Sequence, residues 1–156
     1  YNLDTLVNNV INNKLNDQIS IVPFWIKEDN SQVSITYNDN IAGSANLGEI
    51  KHSPSNKLVF YGLSLDYLHK LYNLEFPNYI KIDVDGSEIF ILKGAQNVIN
   101  NAKEILIEVD QIKDNNKKIE SLLIKNNFKK VVEEKSQLNS LELNIPVNQL
   151  WKKNES

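Results

Sequence analysis

Acidic side chains gather at one end of a short apolar stretch in the middle of the chain, YIKIDVDGSEIFILKG at 79–94. Ile80 to Val84 predict a strand, and Asp85-Gly86-Ser87-Glu88 follow it directly, before a helical pattern begins. A charged side chain within a buried strand is costly unless it is paired. Because α/β proteins place binding and catalysis at the carboxyl ends of strands, we interpret Asp83 and the acids after it as candidate functional residues.

Lys81 and Glu108 are predicted to meet on neighbouring strands. Alternation places Lys81 and Asp83 on one face of the first strand and Leu106 and Glu108 on one face of the next, 104–110. If these strands are adjacent and parallel, Lys81 lies near Asp83 or Glu108, and an unpaired buried lysine would be strongly destabilising. Glu108 is therefore interpreted either as half of a structural ion pair or as a carboxylate that faces an acceptor pocket.

The spacing of Asp85 and Glu88 is typical of a helix start. It predicts Asp85 as the N-cap residue and Glu88 as its capping-box partner, and both charges suit the helix dipole. Gly86 would permit a tight turn between strand and helix and would let a ligand approach the backbone.

Two histidines are candidates for proton transfer. His52 lies in a polar loop predicted for 38–56 and could act as a general base, and His69 lies on a predicted helix. Since most histidines in such positions are ordinary surface residues, the sequence favours Asp83 over both.

Helices and strands alternate around these residues. The patterns predict helices over 3–15, 64–74, 86–100 and 115–127, and strands over 18–26, 32–37, 57–63, 79–84, 104–110, 128–134 and 142–151. Ser64 is the expected N-cap of the second helix, and Pro23 should end the first strand, since proline cannot donate to a ladder. The alternation predicts a mainly parallel sheet with helices on both faces, closed by an antiparallel hairpin of the last two strands.

Composition excludes several kinds of protein. The chain has 156 residues, enough for one domain, and its net charge of -3 makes nucleic acid an unfavourable partner. The absence of cysteine excludes a thiol nucleophile, a disulfide framework and cysteine-ligated zinc. No stretch has the length of a membrane span or the pattern of a signal peptide, which favours a soluble, cytoplasmic protein.

Several motifs resemble the C-terminal half of FkbM-type S-adenosylmethionine (SAM)-dependent methyltransferases. The clearest are SLDYL at 64–68, YIKIDVDGSEIFILKGA at 79–95 and EILIEVD at 104–110, with weaker likenesses at 3–29 and 147–153. Asp85 stands where the family more often has Glu. The resemblance implies an α/β, Rossmann-like SAM methyltransferase fold with a mainly parallel sheet and an antiparallel C-terminal hairpin.

The resemblance also implies a cofactor, SAM, and a site. It places Asp83 beside the transferred methyl group, where a carboxylate can orient or deprotonate an acceptor hydroxyl. An aromatic ring of Phe24 or Trp25 could stack on the adenine, with packing in the core as the alternative, and Ser44 lies in a small-residue segment near the cofactor. The expected catalytic residues are Asp83, Glu108 and His52, and the expected cofactor contacts are Pro23, Phe24, Trp25, Ser44, Asp83 and Gly86.

The family's glycine-rich SAM loop and its ribose-binding acid have no counterpart in 1–156. The chain also begins without Met. We therefore expect a single, partial methyltransferase domain that lacks the first two strands of the sheet, leaves strand 18–23 without neighbours and binds SAM weakly by itself.

The resemblance, together with the position of Asp83, favours O-methylation of a small-molecule or glycan acceptor, such as a sugar or a secondary metabolite. No metal site is predicted, although carboxylates could also hold Mg²⁺ together with a hydroxyl. Two alternatives stay open. One is a nicotinamide-binding Rossmann oxidoreductase, which would need a Gly-x-Gly-x-x-Gly motif, and the other is a non-enzymatic α/β interaction domain.

Overall fold

The computed structural model describes residues 2–36, 57–84, 86–109, 115–135 and 146–154, and the structural statements that follow concern these residues. The elements in chain order are α1 (Asn2–Asn12), β1 (Trp25–Lys27), β2 (Ser31–Thr36), β3 (Lys57–Ser64), α2 (Leu65–Leu71), β4 (Tyr79–Ile82), α3 (Glu88–Lys93), α4 (Gln96–Asn101), β5 (Glu104–Val109), α5 (Asn115–Lys125), β6 (Phe128–Lys135) and β7 (Val147–Lys153). The protein is mixed α/β and divides into two compact units, residues 1–25 with 31–62 and residues 26–30 with 63–156.

The second unit contains a four-stranded sheet in the order β4–β5–β7–β6. β4 and β5 are parallel, with Ile80 opposite Ile105, which confirms the predicted pairing. β6 and β7 form the predicted antiparallel hairpin, and β7 also pairs antiparallel with β5. The described strands of this sheet thus make one parallel and two antiparallel pairings, so by themselves they do not form the mainly parallel sheet that was expected.

The core of this unit lies on one face of the sheet. Alternate residues of β5 are fully buried, and they pack with Phe128 and Trp151 of the hairpin and with apolar side chains of α3, α4 and α5. The buried polar residue Gln149 accepts a hydrogen bond from Trp151 Nε1 at 3.0 Å and donates to Asn116 Oδ1 at 3.1 Å. These bonds satisfy an amide whose burial would otherwise be costly.

The helix predicted over 86–100 is two helices, α3 and α4, separated at Gly94 and Ala95. A Cβ at Gly94 would lie 2.2 Å from the carbonyl oxygen of Lys27, so the backbones meet where only glycine fits. The amides of Asn97 and Val98, in the first turn of α4, donate at 2.9 Å to the carboxylate of Asp66. Asp66 lies in the first turn of α2, so its carboxylate caps a helix other than its own.

The predicted N-cap at Ser64 is confirmed, since its Oγ accepts the amide of Tyr67 at 3.2 Å. The helix that follows ends at Leu71, earlier than the predicted 74. The last strand begins at Val147, and the predicted residues 142–145 lie outside the described ranges.

The first unit contains α1 and the antiparallel pair β2–β3, in which Ser31 is opposite Gly62. The prediction of a strand over 18–26 is wrong, because only Trp25–Lys27 is extended in a ladder. The amides of Gln18 and Ile19 instead donate at 2.9 Å to the carbonyl of Leu15 and turn the chain after α1. The antiparallel pairing of β2 with β3 was not foreseen.

Helix length bears on membrane insertion. Across the ranges that the structure describes, no helix has the length and apolar character that crossing a membrane requires. α1 and α5 have 11 residues each.

The close approach at Gly94 predicts a stability effect. Gly94→Ala should lower the free energy of unfolding by about 1–3 kcal/mol, because the new methyl group must displace the backbone at Lys27. Chemical denaturation measures the change, with the exposed Asn100→Ala as the matched control. Equal midpoints for the two variants would contradict the packing described for this junction.

Candidate functional site

The carboxyl ends of β4 and β5 meet at one edge of the sheet. Ile82 is opposite Ile107 in the parallel pair. The residues that follow them in the chain, Asp83 and Glu108, therefore lie side by side. Both project from the face opposite the core, where side chains are exposed or half-buried. The pairing of strands thus places two carboxyl groups together at the edge where α/β proteins carry their sites.

Lys81 joins this pair. Its Nζ lies 2.7 Å from Asp83 Oδ2, so of the two acids predicted as its partner it is Asp83 that forms the ion pair. The expectation that the lysine is buried is wrong, since the side chains of Lys81 and Asp83 are 61% and 49% exposed. The contact is therefore a solvent-accessible ion pair, and the cost of burying a lysine does not explain it.

The ion pair changes how Asp83 titrates. Hydrogen bonding from Lys81 and then hydrogen bonding with Glu108 hold the pKa of Asp83 below its ordinary value, although partial burial opposes them. The same contact with Asp83 raises the pKa of Lys81. At neutral pH Asp83 is a carboxylate, and its lowered pKa makes it a weaker base than a free aspartate.

The turn after Asp83 depends on Gly86. Its φ of 83° lies in the left-handed region, and its amide donates to Val84 O at 2.9 Å and to Glu88 Oε1 at 3.0 Å. The predicted glycine turn is confirmed. Among the described residues, no atom outside Gly86 and its chain neighbours lies within 4 Å of the position that a Cβ would take, so a ligand could approach the backbone on this side.

The predicted capping box is wrong. α3 begins at Glu88, its N-cap is Ser87, and Ser87 makes no side-chain cap hydrogen bond. Glu88 is 2% exposed and reaches back to the amide of Gly86, so its carboxylate holds the turn instead of capping the helix. Asp85, the expected N-cap, lies outside the described residues.

A cavity of about 360 Å³ lies along β4 within the second unit. Lys81 and Asp83 are its charged members, and the rest of its wall is apolar: Ile26, Leu65, Ile80, Ile82, Val84, Ile91, Ala95 and Ile99. Its size is within the range of small-molecule sites, which are mostly apolar with a few placed polar groups. The contributions of Ile26 and Leu65 were not foreseen, because no local pattern marks residues that meet only through the fold.

None of the other predicted site residues appears among the described residues that line this cavity. Pro23, Phe24 and Trp25 belong to the first unit, where Phe24 is 39% exposed and Trp25 begins β1. Ser44 and His52 lie outside the described residues. The roles of these five residues stay predictions.

His69 is held by α2 and stacks on Phe76, with ring centroids 4.2 Å apart. Its Nε2 is buried and has no hydrogen-bond partner among the described residues. Over the same ranges, no three side chains of His, Asp or Glu gather as ligands for a metal ion.

An α/β unit with acids at the carboxyl edge of a parallel strand pair is typical of an enzyme. Residues 1–131 match the family model of the methyltransferase FkbM domain, and the chain belongs to this family. The resemblance in the sequence is thereby confirmed. Comparisons with curated proteins and with solved structures found no match. Family membership supports a methyltransferase over the oxidoreductase and the interaction domain.

The ion pair predicts a measurable titration. Lys81→Met should raise the pKa of Asp83 toward its ordinary value, because the hydrogen bond that most lowers it is lost. Carbon-detected NMR titration of the Asp83 carboxyl group measures this, with Lys129→Met, at an exposed position on β6, as control. An unchanged pKa in Lys81→Met would contradict the assigned cause.

The lowered pKa of Asp83 determines how the ion pair changes the free energy of unfolding with pH. Because the pKa is lower in the folded state, the pair stabilises the fold above the unfolded-state pKa. That stabilisation is lost as the pH falls through the folded-state pKa. Since both side chains are about half exposed or more, the effect is small.

Proposed function

We propose that the protein is a SAM-dependent O-methyltransferase that acts on a hydroxyl group of a small-molecule or glycan acceptor. One observation carries the proposal: in a member of a methyltransferase family, Lys81 holds Asp83 ionised beside a cavity, at the carboxyl edge of a parallel strand pair. The order β4–β5–β7–β6 supports it, because a parallel pair continued by an antiparallel hairpin is typical of the SAM methyltransferase fold.

The residues of the cavity fit the reactive end of SAM. The sulfonium is cationic and would be attracted to the Asp83 carboxylate in the wall of the cavity, and the cofactor supplies an electrophilic methyl group when bound. Asp83 and the open backbone at Gly86 would hold this end, against the apolar side chains of Ile80 and Val84. The proposed contacts of Pro23, Phe24, Trp25 and Ser44 to the adenosine rest on the family resemblance.

Asp83 acts on the acceptor. Its ionised carboxylate accepts a hydrogen bond from the acceptor hydroxyl and directs the oxygen lone pair toward the reacting carbon. Because the pKa of Asp83 is lowered, orientation contributes more than proton abstraction. As the hydroxyl oxygen forms its new bond to carbon, its proton passes to the Asp83 carboxylate. The ion pair with Lys81 fixes the position of Asp83. Glu108 lies beside Asp83 on the neighbouring strand, where it is either a structural partner of this ion pair or a carboxylate that faces the acceptor.

This role predicts different effects for two substitutions. Asp83→Ala should reduce methyl transfer by roughly two orders of magnitude or more, with a much smaller loss of SAM affinity because the cofactor keeps its other proposed contacts. Asp83→Asn keeps a hydrogen-bond acceptor and should retain more activity than Asp83→Ala. Transfer of radiolabelled methyl to an acceptor panel gives kcat, and calorimetry gives SAM affinity.

Glu75→Gln, at an exposed acid on the segment before β4, is the matched control and should be unaffected. Equal losses in Asp83→Ala and Asp83→Asn would show that Asp83 acts chiefly as the base. Near-normal turnover in Asp83→Ala would contradict the proposal for this residue, and His52 would be the next candidate.

A further inference from the structure

A second cavity, of about 580 Å³, lies between α3 and α5 on the second unit. Ile89 and Leu122 form an apolar floor, and its rim carries four lysines: Lys93, Lys117, Lys118 and Lys125. We call this cavity the lysine groove. None of its lining residues belongs to the cavity beside Asp83.

Within the part of the chain that the structure describes, the charge of the lysine groove is largely uncompensated. No acidic residue of the described chain lines it. Lys93 bonds to Glu28 at 3.1 Å, whereas Lys117, Lys118 and Lys125 have no ion pair with any described residue. Lys117 and Lys125 are eight residues apart and Lys118 is seven before Lys125, so α5 presents all three on one exposed side. Three neighbouring ammonium groups on a chain of net charge -3 form a local positive field that a negative partner would complement.

The shape of the groove narrows the class of partner. All four lysine side chains are exposed, so the groove is open along its rim and would not enclose a small anion. Its apolar floor lies below the ring of charges, which suits an amphipathic segment better than the flat surface of a lipid bilayer.

We propose that the lysine groove docks an acidic, amphipathic peptide segment of a partner protein. Apolar side chains of the segment rest on Ile89 and Leu122, and its carboxylates face Lys117, Lys118 and Lys125. This interaction is separate from methyl transfer and does not depend on the function proposed for the cavity beside Asp83.

The test uses a fluorescein-labelled peptide of repeated Glu-Leu-Glu-Glu-Leu units, and a second peptide with Gln in place of Glu. Fluorescence anisotropy at low ionic strength should show that the acidic peptide binds the protein and that the Gln peptide binds much more weakly. Combined Lys117→Gln, Lys118→Gln and Lys125→Gln should weaken binding of the acidic peptide by about tenfold or more.

A matched variant removes the same charge elsewhere. Lys70→Gln, Lys103→Gln and Lys129→Gln change three exposed lysines outside the groove and should alter affinity by no more than about twofold. Ser121→Glu adds a negative charge between Lys117 and Lys125 and should also weaken binding. Circular dichroism checks that each variant is folded.

Three results would overturn the proposal. The first is that the acidic peptide does not bind the wild-type protein. The second is that the two triple variants lose the same amount of affinity for the peptide. The third is that the protein prefers vesicles of phosphatidylcholine and phosphatidylserine to the peptide, and that vesicle binding depends in the same way on Lys117, Lys118 and Lys125. The last result would assign the groove to a membrane surface.

Discussion

The parallel pairing of β4 with β5 is the constraint on which the candidate site depends. It sets Ile82 against Ile107 and therefore brings Asp83 to Glu108 at a common edge. A shift of one residue would turn the side chains of β5 to the opposite face and separate the two carboxyl groups. The register is held by the core, because Ile105 and Ile107 are fully buried against the helices. Apolar packing on one face thus fixes polar chemistry on the other.

The electrostatics of the site follow from the two-residue period of a strand. Lys81 and Asp83 project from the same face, so a lysine in the strand reaches the acid that ends it. The pairing keeps Asp83 ionised and fixes its position, and it also lowers the basicity of the carboxylate. A site built in this way is better suited to orienting a hydroxyl and complementing a cation than to strong base catalysis.

Features that depend on local pattern could be predicted from the sequence. Strand β5, the hairpin of β6 with β7, the cap at Ser64 and the contact of Lys81 with Asp83 all follow from periodicity or from neighbouring residues. Features that depend on distant pairs could not. Asp66 caps α4 from 31 residues away, and the break at Gly94 arises from the backbone at Lys27. The sequence pattern of 18–26 is typical of a strand, but hydrogen bonds from the amides of Gln18 and Ile19 to the carbonyl of Leu15 turn the chain there instead.

We propose that the edge carrying Asp83 and Glu108 receives the methyl-bearing end of the cofactor. Titration of the isotope-labelled protein with SAM, followed through backbone amide resonances, tests this directly. We expect the largest shift changes at Asp83, Gly86 and Glu108, with little change at Ser121 in the lysine groove. Unchanged resonances at Asp83 and Gly86, or changes concentrated at Ser121, would contradict it.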